Sequence, residues 1–522
     1  MPIPPQRDTG DSRLAPAPLS RYDGLLLILC VAMFFFITWF RRHGILWNDE
    51  IMGWTTLDQP TWHDVIRVWW SGVDSSGFFF YVFARPWLQL FGWTELSLHL
   101  WTTTFMSASF VLAWVVARRF ASLSIVAIVA PLVFLGNRVV VQQFNNGRTY
   151  GILLLSAALV CYVLLRTDPE DDDANSTTMK LLSFVGFLVL VGSQTLGMMF
   201  WGMFLAAFVL RDLIFRRAQW AVYLGALIAL VAIVPLSWRN IQADLDMGKP
   251  TFWTPKPTVK DFFMGFGDLS GPIAALLVSA LALFLFLYFR QPAETRGPLV
   301  PRNRISLYCL LAVFPALTVL MFALSLLGKS IFIDRYLLPV SLGDILILSE
   351  LFMRIRALAP AMRPVRLALV GVGAFVVLAL FGFDLRRQGL PGRDYITPML
   401  AALPQGKPIV ITDTSVFIDT IHYKNDKALL LTPTDWSIQL DPDFGGGGAS
   451  FLHEMEDWKK MGIYADHILS TQELLAKYPS FVVITDTRHT LWVRRYLLDN
   501  PDYNVQQLPD VHGEHVWNVE RR

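Results

Sequence analysis

The sequence predicts a mainly α, polytopic membrane protein of about 11 transmembrane helices, followed by a C-terminal α/β domain on the outer face. Three observations predict it. The 522-residue chain is 54% hydrophobic and only 16% charged, where a soluble domain carries about 25% charged residues. Apolar runs near the roughly 20 residues a helix needs to cross a bilayer recur along it. From about Asp384 the composition turns to short mixed segments. The 18 Trp and 38 Phe fit large lipid interfaces, because aromatic rings settle at headgroup depth. A net charge of +2 gives no basic field suited to nucleic acid. Cys30, Cys161 and Cys309 all lie in apolar runs with no CxxC pair, which argues against a disulfide framework and a thiolate metal site.

Residues 1–23 are polar and Pro-rich and read as a cytoplasmic tail. The run from Leu25 to Phe40 lacks a small-residue cleavage site and reads as an uncleaved signal anchor. Further spans are expected near 95–117, 121–136, 148–165, 181–195, 197–215, 220–237, 272–289, 305–328, 336–353 and 367–383. The run "FFFYVFARPWLQLFG", 78–92, is short and carries Arg85-Pro86 in its middle, so it can span or lie in the interface. Loop charge decides between these, because short cytoplasmic loops collect Lys and Arg. With 78–92 in the interface, the clusters Arg118/Arg119, Arg211/Arg216/Arg217, Arg290/Arg296/Arg302/Arg304 and Arg354/Arg356/Arg363/Arg366 all fall inside. Outer loops then cover 41–94 and 238–271, and Arg41-Arg42 is the visible exception.

Beyond Asp384, "GKPIVIT", "KALLLTP" and "SFVVITD" read as short buried strands. "SVFIDTIHYK" and "HTLWVRRYLLDN" read as amphipathic helices between them. The tail suggests a hairpin closing at His512-Gly513, so residues 385–522 form an outer α/β domain. "DPDFGGGGAS" does not match dinucleotide-binding spacing and reads as a loop. The acidic run "TDPEDDDANS" reads as a solvated cytoplasmic loop.

This topology gathers one set of residues on the outer face. It holds Asp49 and Glu50 in "WNDE", Asp74, Arg138 and Arg148, Gln194, Trp238 and Arg239, Lys249, Lys256 and Lys260. It also holds Lys329, Asp334 and Arg335 in "GKSIFIDRYLLP". Outer loops are expected to be poor in Lys and Arg. Snorkelling anchors explain single cases. For the whole set an anionic ligand fits better, and phosphate is the natural candidate, since the arginine fork matches its oxygens. A carboxylate at such a cavity can take a proton from an attacking hydroxyl; a helix N-terminus is the structural alternative for Asp49 and Glu50.

Four features in this order resemble the GT-C superfamily of membrane glycosyltransferases that use polyprenyl-phosphate sugars. The resemblance is to the protein mannosyltransferase, aminoarabinose transferase and lipid A galacturonosyltransferase branch. They are "WNDE" after the first span, Asp74 before the aromatic run ending "LFGWTELSLHLW", "NNGRTYGILLL" opening a span, and "DRYLLPVSLGDILIL". The resemblance covers residues 24 to 384 and extends loosely to the outer domain. It implies a transmembrane catalytic domain with Asp49 as the catalytic acid, Glu50 as its neighbour and Asp74 near a second acidic position. It assigns Arg148 and Arg335, with Lys329, to the donor phosphate, and Tyr150, Tyr336, Trp238 and Arg239 to substrate binding. The family's Pro-Pro-Leu stretch is replaced by "DSSGFFFY", and its Arg after "LFG" by His99.

The implied activity is inverting transfer of a sugar from a polyprenyl-phosphate donor to a hydroxyl of a glycolipid, polysaccharide or protein. The site of action is the outer, periplasmic face of a bacterial cytoplasmic membrane, among membrane lipids. Two alternatives stay open: a flippase for lipid-linked glycan, and a ligase-like transferase using a diphosphate donor with an outer Arg/His pair such as one formed with His43 or His63. Asp49, Glu50 and Asp74 can in principle hold a divalent cation, but three loop acids are generic, and neither metal nor other cofactor is assigned.

Overall fold

The computed structural model describes residues 19–41, 44–74, 76–167, 176–246, 256–262, 272–328, 330–358, 382, 395–424, 429–441, 448–486 and 490–522. The expected span 367–383, the acidic run 168–175, most of the Gly-rich run (442–447) and Lys329 lie outside these, apart from residue 382.

The N-terminal two thirds is helical: α1 (Arg21–Phe40), α2 (Asn48–Leu57), α3 (Trp62–Trp70), α4 (Phe78–Phe91), α5 (Glu95–Arg118), α6 (Leu123–Gly136), α7 (Arg138–Gln143), α8 (Tyr150–Arg166) and α9 (Thr177–Ser193). Then come α10 (Gly197–Phe215), α11 (Trp220–Asp246), α12 (Pro272–Arg290), α13 (Ile305–Leu327) and α14 (Val340–Leu358). Among the described residues, α1, α5, α10, α11, α12 and α13 are long and apolar enough to cross a membrane, and α6, α8 and α9 are shorter apolar helices. At the expected span 336–353 a 3-10 turn over Asp334–Leu337 precedes α14, which is not among the helices long and apolar enough to cross.

Polar contacts divide the bundle into two ends. At one, Arg118 of α5 meets Asp23 of α1 at 2.8 Å. There too Arg211 of α10 donates to the Leu164 carbonyl of α8 at 2.9 Å, and Arg304 and Arg354 both bind Glu350. The opposite end carries α2, α3, α4, α7 and the starts of α5 and α8. Here Glu50, just after α1, meets His99, in the first turns of α5. The chain therefore leaves α1 and enters α5 at the same end, so α4 does not cross. Arg85, buried in α4, donates to the Pro60 carbonyl at 3.1 Å and lies over Trp62, tying α4 to the turn before α3. Gly77 seats the start of α4 on the end of α9, where a side chain would meet the Gly192 and Ser193 backbone.

The C-terminal part holds a six-stranded sheet of order β3-β2-β1-β4-β6-β5. Its strands are β1 (Ile409–Ile411), β2 (Leu430–Thr434), β3 (Ile468–Ser470), β4 (Ser480–Thr485), β5 (Tyr503–Val511) and β6 (Glu514–Arg521). The first four run parallel, and β6 pairs antiparallel with β4 and β5. The β5–β6 hairpin turns at His512 and Gly513, both at positive φ (53° and 89°), the backbone that matches strand twist in a two-residue hairpin. Helices α15 (Ile396–Ala401), α16 (Thr414–Tyr423), α17 (Trp436–Gln439), α18 (Gly448–Met461), α19 (Thr471–Lys477) and α20 (Thr490–Val493) complete it.

Side-chain alternation along the strands gives this sheet two buried faces. Val410, Leu431, Phe481 and Val483 point into a core with Trp492 and Leu497. Their neighbours Ile409, Ile411, Leu430, Val482 and Ile484 point the other way and share one core with Leu46, Ile51, Leu57 and Trp69 of the helical part. One hydrophobic cluster thus joins the sheet to the layer of short helices that carries Asp49.

Candidate active site

Helix α2 begins at Asn48, which puts Asp49 and Glu50 in its first turn, where carboxylates meet the favourable end of the helix dipole. The two acids then part. Glu50 is buried and fully engaged: Oε2 accepts from the Trp47 N–H at 2.8 Å, and Oε1 pairs with His99 Nε2 at 2.9 Å and accepts from the Gly147 N–H. Its geometry is that of a brace holding α2, α5 and the 147 turn together. Gly147 has to be glycine there, because a side chain would run into Leu98.

Asp74 is engaged in the same way. Oδ1 accepts from Arg148 Nη1 at 2.8 Å and from the Ser76 N–H at 3.2 Å, and Oδ2 accepts from the Tyr81 hydroxyl. Burial pushes the Tyr81 hydroxyl well up, and the adjacent Asp74 charge adds to it. Arg148 also donates to the Asp49 backbone carbonyl. Burial works against its charge, but the Asp74 and Asp49 carboxylates outweigh it and raise the guanidinium above its ordinary value. The triad Asp74–Arg148–Tyr81 therefore anchors the peptide that bears Asp49.

Of the three acids, Asp49 alone is open to solvent: its side chain is 22% exposed, against 4% for Glu50 and 1% for Asp74. Its Oδ2 faces Arg335 Nη1 at 3.5 Å. Arg335 lies over the Trp47 ring at 4.9 Å and the Tyr336 ring at 5.6 Å. Its charge is upheld against burial by Tyr150 and Asp49. Arg335, Asp334, Trp47 and Glu50 border a cavity of about 310 Å³ whose remaining wall is Val139, Gln142, Gln143, Asn145 and Asn146. Asp49 reaches this cavity through Arg335 rather than lining it.

The predicted residues thus separate into groups. Asp49, Arg148, Arg335, Tyr150 and Tyr336 converge. Glu50 and Asp74 lie beside them as packing partners. Trp238 is exposed and Arg239 stacks over Trp70 of α3, away from the cavity wall. Among the described residues no three His, Cys, Asp or Glu side chains gather as a metal site would need. Sequence reasoning missed Tyr81, Trp47 and the carboxamides. The carboxamides do carry a sequence signal, four Gln or Asn within "VVVQQFNNG" at a span boundary.

Helix α16 of the C-terminal α/β part docks on this site. Tyr423 accepts from the Leu46 N–H at 2.6 Å. With its carboxamide turned to satisfy both ends, Asn48 donates to Asp419 Oδ1 at 2.7 Å and accepts from the Ser415 hydroxyl at 3.2 Å. Asp419 Oδ2 accepts from Tyr395 at 2.7 Å. Burial raises the Asp419 carboxyl from 3.8 to about 6, the Tyr395 hydrogen bond opposes this, and the Asp413 and Glu50 charges add to it. A value raised by folding means that the folded chain holds this proton more tightly. The stabilisation is complete below about pH 4 and lost as pH rises through about 6. The melting temperature of Asp419→Asn is therefore expected to gain on wild type across that window; a pH-independent difference contradicts the assignment.

No family model matches the chain, and no curated protein does. Solved structures do. The crystal structure of ArnT from Cupriavidus metallidurans bound to undecaprenyl phosphate is similar, with a TM-score of 0.59 at 12% identity over 96% of this chain and 98% of that one. The apo structure of the same protein gives 0.60 at 11% identity over the same shares. At this identity the likeness shows the fold alone: the chain shares the mainly α architecture of those structures, and its long apolar helices are of a length to cross a membrane.

Proposed function

We propose that the chain is an inverting glycosyltransferase that moves a sugar from a polyprenyl-phosphate donor to an acceptor hydroxyl at the outer face of the cytoplasmic membrane. One observation carries this reading: the most exposed of the three acids, Asp49, sits 3.5 Å from a guanidinium that opens onto a cavity at the end of the bundle opposite Arg118, Arg211, Arg304 and Arg354. The arginine-rich opposite end fits the cytoplasmic side, which supports a periplasmic Asp49 end and α/β domain. A chain crossing 11 times, with the eleventh span at 367–383, satisfies this sidedness. ArnT from Cupriavidus metallidurans, of similar fold, has been crystallised with undecaprenyl phosphate, which fits a polyprenyl-phosphate donor here.

In the proposed reaction Asp49 takes the proton from the acceptor hydroxyl as its oxygen bonds to the anomeric carbon. The bond from that carbon to the phosphate oxygen breaks, its electron pair stays on the phosphate, and the configuration inverts. Arg335 contacts the phosphate and balances the charge that develops on it; Lys329 is a second candidate. Arg148 and Asp74 fix the Asp49 peptide, and Glu50 fixes the helix start. Tyr336 lies against the Arg335 guanidinium, and Tyr150 is a further candidate for substrate contact. The acceptor is a glycan, lipid or protein hydroxyl.

The test is release of polyprenyl phosphate from a labelled polyprenyl-phosphate sugar by the purified chain, with mass analysis of surface glycans and glycolipids with and without the gene. Release together with loss of one glycan species supports the reading. Cleavage of a diphosphate donor alone, or lipid transport without cleavage, overturns it.

A further inference from the structure

Beside Arg335 the cavity is lined by a row of uncharged amides, several of whose buried polar atoms have no hydrogen-bond partner. Helix α7 and the turn after it supply Gln142, Gln143, Asn145 and Asn146. Gln143 is only 4% exposed, and its Oε1 has no hydrogen-bond partner. Asn146 Oδ1 and both amide atoms of Asn145 are in the same condition. Leaving a buried amide unsatisfied is costly, so these groups call for a guest that both donates and accepts. A hydroxyl does both, whereas a phosphate oxygen or a lipid tail does not donate.

Charge and size narrow the guest. The Glu50 oxygens are already bonded to Trp47, His99 and Gly147, and Asp334 is exposed at the rim, so the inner wall presents no free charge. A volume of about 310 Å³ is at the lower limit of the roughly 300–1,000 Å³ of small-molecule sites, enough for one sugar ring. Position completes the argument, because a sugar esterified to a phosphate at Arg335 has to lie beside that residue.

We propose that this amide-lined cavity binds the sugar of the donor lipid and selects an uncharged, hydroxyl-rich ring, with Gln143, Asn145 and Asn146 as its specificity residues. The inference rests on the donor reading given above.

Binding of lipids to the purified full-length chain tests it without turnover. The probes are polyprenyl phosphate alone, its glucosyl ester, and the charged glucosaminyl and glucuronosyl esters. Wild type is expected to bind the glucosyl lipid about 10-fold more tightly than the bare lipid, the equivalent of two modest hydrogen bonds, and to show no such gain for the charged esters. Gln143→Leu and the more exposed Asn146→Ala should each reduce that gain while leaving bare-lipid affinity unchanged. The inference is overturned if the glucosyl gain survives in both variants, if both lipids weaken equally, or if a charged ester binds as tightly as the glucosyl one. Equal binding of bare and glucosyl lipid by wild type removes the sugar site but leaves the phosphate site standing. Binding of neither lipid removes the donor reading and this inference with it.

Discussion

Asp49→Asn is expected to fold and to bind polyprenyl phosphate like wild type, yet to lose about 10²–10⁴-fold in kcat, the usual worth of a general base. Asparagine keeps the shape of the side chain and its place in the first turn of α2, but it cannot take a proton. Its ion pair with Arg335 is loose, at 3.5 Å, and the asparagine carbonyl can still accept from the guanidinium, so the loss of stability should be modest. The loss should therefore fall on kcat rather than on donor affinity. Single-turnover measurement with saturating donor separates the two. Near-wild-type turnover removes the proton-acceptor role from Asp49.

Arg148→Met is expected to fail differently, through folding. The guanidinium is buried, holds Asp74 at 2.8 Å, and reaches the Asp49 carbonyl. Methionine leaves the Asp74 carboxylate buried with only Tyr81 and the Ser76 N–H for company. Removing one partner of a buried pair typically costs about 3–5 kcal/mol. Adding Asp74→Asn should recover much of that, because the orphaned charge disappears. The double variant should still turn over poorly, since the Asp49 peptide has lost its anchor. Thermal unfolding of the two single variants and the double one in detergent gives the coupling directly. Additive effects would show that the two residues do not act as a pair.

Much of the fold was legible because its signals are local. Apolar runs near bilayer length gave the long helices, and the short aromatic run around Arg85-Pro86 gave the short helix α4. His512-Gly513 marked the last hairpin, since only a tight turn needs two such backbones in a row. Strand β3 was missed: Ile468–Ser470 is three residues long, and its pairing with β2 is a tertiary fact. The site was legible in part for the same reason. Asp49 stands directly after a span and Arg335 directly before one, so their common end follows from topology. The partners of Asp74, Arg148 and Glu50 did not follow, because Glu50 meets a histidine 49 positions away and Asp74 an arginine 74 positions away. The amide row was passed over because neutral side chains leave no mark on a charge map.

The central claim is that Asp49 and the arginine it faces at the edge of the cavity form one phosphate-binding, proton-accepting site. It is tested most directly by a cryo-EM structure of the chain with polyprenyl phosphate. The account predicts phosphate density within hydrogen-bond reach of Arg335, about 3 Å, with the Asp49 carboxylate beside it. Phosphate bound at the arginine-rich opposite end of the bundle, or away from Asp49, would contradict it.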